Sequence, residues 1–157
     1  MASFSTDAPF VPVPNGVEDY ILESLHLDSN SVFYDLGCGD GRILIRAVKE
    51  HPEIKTVGVE VAFFPYLLAK FYTRNHHNIK IKRENIFATN LSDATHVYLY
   101  LYPEVMNKLL PIFRKKCKPG TRIVSCDFEF ANYRPLEIIP IQDVGQKRGK
   151  KLFVYTI

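Results

Sequence analysis

The sequence predicts an α/β fold: a mostly parallel sheet with one antiparallel strand and helices on both faces. Three observations carry this expectation. Short apolar runs alternate with helical patterns from residue 17 to residue 126. The first such run ends in a glycine-rich turn that leads directly into a helix pattern. The last stretch reads as two strands joined by a turn, which returns one strand against the others. At 157 residues the chain suits one domain spanning 1–157, large enough for its own core.

Residues 1–9 carry no pattern. Phe10-Val11-Pro12-Val13-Pro14 is extended by its prolines, and is open to two readings: a tail, or a lid over a ligand. Asn15 is placed to cap a helix, with Glu18 completing a capping box and Val17, Ile21 and Leu25 forming its buried stripe. Val32-Phe33-Tyr34 is a buried strand ending in Asp35. Gly37, Gly39 and Gly41 follow at alternate positions, before a helix that turns Ile43, Leu44, Ala47 and Val48 inward and ends near Pro52. Residues 55–60 form a strand with Glu60 at its carboxyl end. A helix over residues 62–74 tolerates Pro65 in its first turn.

Residues 79–83 alternate as a partly exposed strand, and Glu84-Asn85-Ile86-Phe87 follows. Residues 95–102 read as the fourth strand, with Tyr98, Tyr100 and Tyr102 on one face. Pro103 and Glu104 open a helix that Pro111 should kink or shorten. Its basic end (Arg114, Lys115, Lys116, Lys118) complements the helix dipole or offers a surface to an acidic partner. Residues 121–126 form a fifth strand ending at Asp127-Phe128. Strands over 136–143 and 151–156, joined by a turn over 145–149, complete the chain.

Composition excludes several classes. A 46% hydrophobic content with dispersed charge is that of a globular protein, and a net charge of +3 is too small to argue for nucleic acid. Three cysteines without paired spacing speak against a disulfide framework or a metal site. No apolar run approaches the roughly 20 residues of a membrane span. The first residues resemble neither a signal nor a transit peptide, so the expected location is cytoplasmic.

The glycine turn sits where open α/β sheets bind ligands, beyond the carboxyl ends of the strands. Arg42 stands where a dinucleotide fingerprint needs its third glycine, and no Gly-Lys-Ser/Thr follows. Asp35 and Asp40 would oppose a pyrophosphate at the helix start. They favour a cationic ligand without phosphate, and S-adenosyl-L-methionine (SAM) carries an ammonium and a sulfonium. Glu60, 21 residues beyond Gly39, fits the acid that accepts ribose hydroxyls. Asn85 offers both the donor and the acceptor that an adenine edge requires. Cys38 reads as a small packing residue of the turn, and Phe87 as a core aromatic or a wall against adenine.

These motifs resemble those of the small class I, seven-strand SAM-dependent methyltransferases. Within that class the chain is similar to the archaeal protein lysine methyltransferases and the ATP synthase c-subunit lysine methyltransferases. The pieces that carry the likeness are residues 10–14, 34–42, 57–60, 84–87 and 119–128. The resemblance implies a Rossmann-like sheet, with Asp35, Gly37 and Gly39 holding the methionine part of SAM, Glu60 the ribose and Asn85 the adenine. It also implies that the proline-rich segment folds over the cofactor. The candidate cofactor-binding set is therefore Pro12, Val13, Asp35, Gly37, Cys38, Gly39, Glu60, Asn85, Ile86 and Tyr98. Two departures stand out. Val13 replaces the threonine usual between the two prolines, and the fourth strand is rich in tyrosine.

Methyl transfer from a sulfonium is an in-line displacement, so the protein must mainly align the reactants. A lysine nucleophile must be neutral, and aromatic walls can exclude water while still attracting the amine. Tyr102, Tyr100, Asp127 and Phe128, at strand ends, are the candidates for that role. The leading expectation is a protein-lysine methyltransferase with no metal. A small-molecule or RNA methyltransferase and a SAM-binding module without activity are the alternatives.

Overall fold

The computed structural model describes residues 11–142 and 147–157. Seven strands form one sheet: β1 (Val32–Leu36), β2 (Lys55–Val59), β3 (Ile79–Lys82), β4 (His96–Leu99), β5 (Arg122–Cys126), β6 (Glu137–Pro140) and β7 (Lys151–Thr156). Their spatial order is β3-β2-β1-β4-β5-β7-β6. All neighbours are parallel except β7, which runs antiparallel to both β5 and β6. The expected mostly parallel sheet with one reversed strand is what forms.

The chain winds outward from β1 to β3, then returns to β4 on the other side of β1. That reversal between β1 and β4 opens a crevice above their carboxyl ends. Helices α1 (Val17–Leu25), α2 (Arg42–Glu50) and α3 (Phe63–Thr73) lie on one face, and α4 (Pro103–Lys116) on the other. The two-residue period of β1 shows why both faces need cover. Phe33 packs with Ile21, Leu25, Leu44 and Ala47, whereas Tyr34 and Leu36 pack with Met106, Leu109 and Phe113. Burying both faces removes the alternation of a half-exposed strand and gives the nearly continuous apolar run.

Four local expectations change. Asn15 does not cap α1. Gly16 takes that place at φ 90°, where glycine carries no Cβ penalty, and its N–H donates to Glu18 Oε2 at 3.0 Å. The Val17 amide donates to the Pro14 carbonyl at 3.2 Å, a tight turn that moves the helix start past Asn15. β4 ends at Leu99, so Tyr100 and Tyr102 lie beyond the strand and the two-residue rule does not place them. Tyr102 instead stands as the residue before α4. Pro111 does not shorten α4, which continues to Lys116. Pro111 and Asn107, whose carbonyl loses its helical donor, are both exposed to water. β6 is shorter than expected, and Phe10, the end of the expected 136–143 strand and part of the 145–149 turn lie outside the described residues. Among the described residues no helix is long and apolar enough to cross a membrane.

Candidate functional site

The site is built on the end of β1. Asp35 has Gly58 of β2 on one side and Tyr98 of β4 on the other, all in register. The chain then turns through Gly37 (φ 86°), Gly39 (φ 55°) and Gly41 (φ 83°), a conformation that side chains strongly resist. The Gly37 and Cys38 amides both donate to the Val59 carbonyl, at 2.8 and 3.0 Å, pinning the turn across the end of β2. Glu60 finishes the clamp: its two oxygens accept from the Gly39 amide at 3.0 Å and the Ala62 amide at 2.9 Å. Arg42 pairs with Asp40 at 2.8 Å.

A cleft of about 920 Å³ opens over this turn. Of the candidate residues, Pro12, Val13, Asp35, Gly37, Cys38, Glu60, Asn85, Ile86, Tyr98, Tyr100, Tyr102, Asp127 and Phe128 line it. Gly39 does not, and enters only through its bond to Glu60. Cys38 is buried, and burial pushes its thiol well up, so it packs rather than reacts. Asn85 Oδ1 accepts from the Phe87 amide at 2.9 Å and caps a single 3₁₀ turn, Ile86–Ala88. That bond fixes the side chain's orientation and leaves one lone pair of Oδ1 and the Nδ2 donors in the cleft lining.

The field in the cleft is negative around β1. Asp35 is only 3% exposed, and burial followed by the charges of Glu60 and Asp40 pushes its carboxyl up to about 8. Among the described residues no side chain donates to it. Tyr98, next in register, has its hydroxyl buried against the Cys126 thiol, a weak partner that leaves it without an ordinary hydrogen bond among the described residues. A buried acid without a cation, beside a hydroxyl held only by a thiol, is costly in a finished core and expected in a ligand site.

Farther along the cleft three aromatic rings cluster. Phe128 lies 6.4 Å from Tyr100, nearly parallel, and 6.0 Å from Tyr102. Tyr102 is more than half exposed. Asp127, itself at φ 63°, accepts from the amides of Gly149 and Lys150, each at 2.7 Å. The Tyr100 phenol lies beside this carboxylate. Burial first, and then the Asp127 charge, push that phenol up to about 12. Sequence reasoning missed the basic rim of the cleft, formed by Lys147, Arg148, Lys150 and Lys151. A charge run there reads as a solvated turn until the pairing of β7 with β5 brings it beside Asp127.

A family model described as the ANTKMT methyltransferase domain matches residues 35–137. The chain belongs to this family. It is a SAM-dependent methyltransferase. A protein-lysine N-methyltransferase of Saccharolobus islandicus is 36% identical over 155 residues, covering 97% of this chain and 96% of that protein. An ATP synthase c-subunit lysine N-methyltransferase of Xenopus laevis is 27% identical, with 81% of this chain covered. The match spans 56% of that protein, little more than half its length. A solved structure, described as an RNA methyltransferase from Salinibacter ruber in complex with S-adenosyl-L-homocysteine, superposes with a TM-score of 0.86. It is 34% identical and 94% of each chain is covered.

The residues of this methyltransferase suit its cofactor. Asp35 is a buried acid in need of a cation, Tyr98 a buried hydroxyl with only a thiol beside it, and the Gly37 turn lets backbone approach a ligand closely.

Proposed function

We propose that the protein transfers a methyl group to the ε-amine of a lysine in another protein. The carrying observation is the cluster of Tyr100, Tyr102 and Phe128 in the same cleft as Asp35 and Glu60. Asp35 would hold the cofactor's ammonium, Glu60 its ribose hydroxyls and the Asn85 loop, with Ile86, its adenine. Pro12 and Val13 would close the same side, as part of one domain spanning residues 1–157. When bound, the cofactor supplies an electrophilic methyl carbon on a sulfonium. The rings of Tyr100, Tyr102 and Phe128 would exclude water from the amine and attract it through their π faces. Tyr100, held protonated, acts as a hydrogen-bonding group rather than a base, with Asp127 fixing its orientation. The amine's proton leaves to solvent at the open side, where Tyr102 is exposed.

The test is to incubate purified protein with radiolabelled SAM and a cell extract, then locate the label by mass spectrometry. Methyl-lysine in a protein band is expected. Label confined to RNA or small metabolites overturns the lysine assignment.

One observation favours a second reading. Lys147, Arg148, Lys150 and Lys151 line the cleft, and the Salinibacter ruber relative is described as an RNA methyltransferase. Loss of label on ribonuclease treatment would decide for RNA. We also propose a cytoplasmic setting, with which the buried thiols of Cys38, Cys117 and Cys126 are compatible.

A further inference from the structure

We propose that the outer face of α3 docks on an anionic lipid surface. The helix has its amphipathic pattern reversed. Phe63 (58% exposed), Phe64 (69%), Leu67 (44%) and Phe71 (57%) form one stripe, while only Ala69 and Thr73 on the opposite side are buried. Stripes of large apolar side chains left in water mark interaction sites rather than random exposure.

Charge identifies the occupant. Residues 61–83 contain Lys70, Arg74, Lys80, Lys82 and Arg83 and no aspartate or glutamate, with Lys82 paired at 3.9 Å to Glu84 just beyond them. Two of these cations rest on the stripe itself. Arg74 lies 4.1 Å above the Phe71 ring, and Arg83 lies 5.0 Å from Phe63. Rings flanked by cations are the composition that seats a helix at an anionic headgroup layer, with the apolar side chains in the acyl boundary and the charges among the phosphates. A second copy of this chain is disfavoured, because a two-fold contact would set Lys70 and Arg74, at the end of α3, against their symmetry mates, and the helix itself carries no acid to offset them. The helix backbone is internally hydrogen-bonded and offers no ladder edge to a peptide strand.

The location couples this face to the chemistry. Val61, Ala62 and Pro65, at the start of α3, line the cleft. A lipid surface held by Phe63 and Phe64 would therefore lie against the cleft mouth, where acceptors at that surface are within reach. The inference stands whichever acceptor is methylated.

The test is co-sedimentation of the full chain with vesicles of phosphatidylcholine alone and with about one-third phosphatidylglycerol. About tenfold more protein should sediment with the anionic vesicles, and added salt should release it. The double variant Phe64→Ser, Phe71→Ser and, separately, Lys70→Glu with Arg74→Glu should each abolish the difference while S-adenosylhomocysteine binding is retained. Equal sedimentation with both vesicles, or unchanged sedimentation of folded variants, overturns the proposal. So does a dimer in vesicle-free ultracentrifugation that Phe64→Ser dissociates, which would assign the face to a second copy.

Discussion

The Gly39 amide donates to the Glu60 carboxylate at 3.0 Å, so the glycine turn and the acid at the end of β2 form one unit. Glu60 holds the turn in shape with one oxygen and α3's approach with the other, through Ala62. Changing Glu60 to Ala should weaken SAM binding by about 1–3 kcal/mol, through lost ribose contacts and a loosened turn. Calorimetry on the folded variant checks this. Unchanged affinity would remove the assignment.

Asp35 makes the free protein sensitive to pH. Its folded carboxyl sits near 8, against an ordinary value of 3.8, so the native state holds a proton that the unfolded chain releases. Its contribution is fully present below about pH 4 and is lost as pH rises towards 8, by up to about 1.4 kcal/mol per pH unit. Asp35→Asn should flatten that stretch of the thermal-denaturation profile and abolish cofactor binding. In the wild type, binding of a cationic ligand at pH 7 should release a proton, seen as a heat that depends on the buffer.

Gly58 has no room for a side chain. A Cβ there would lie 2.6 Å from Leu44 Cδ1, 2.7 Å from Cys38 Sγ and 2.9 Å from Ile81 Cδ1. Gly58→Ala should cost about 1–3 kcal/mol in stability by overpacking. Because Cys38 belongs to the glycine turn, cofactor affinity should fall as well. Denaturant unfolding and calorimetry on one preparation test both effects.

Asp127 ties the start of β7 to the end of β5. Replacement by Ala loses the hydrogen bonds that the carboxylate accepts from the Gly149, Lys150 and Lys151 amides, the last a longer one at 3.4 Å, and leaves a non-glycine residue at φ 63° without its polar compensation. A loss of about 2–4 kcal/mol in chemical denaturation is expected. Asp127→Asn tolerates the backbone and should lose less.

Phe128 is the hub of the aromatic cluster. Phe128→Ala should raise KM for the acceptor about tenfold or more, with SAM affinity little changed. Steady-state kinetics with each substrate varied in turn separates the two. A shift confined to the SAM constant would move Phe128 to the cofactor side.

Much of this was legible in sequence because burial patterns and glycine turns are local signals. β1, the turn after Asp35 and the strand end at Glu60 each follow from a few adjacent residues. The misses share another cause. Tyr100 and Tyr102 leave the strand because α4 begins at Pro103, and its entry sets their direction. The 3₁₀ turn that Asn85 caps is announced by no periodicity. The cations after residue 146 reach the cleft only through strand pairing between segments distant in sequence. Local pattern carries an element's existence, but not the neighbour it will meet.

The placement of β7 between β5 and β6 has a consequence for how the chain is made. β6 leaves the ribosome before β7, yet it can attach to the sheet only through it. Until β7 emerges, β5 presents a bare edge and β6 has nowhere to bind. The nascent protein can therefore assemble β1 to β5 early, but it must carry an unfinished margin until β7 arrives.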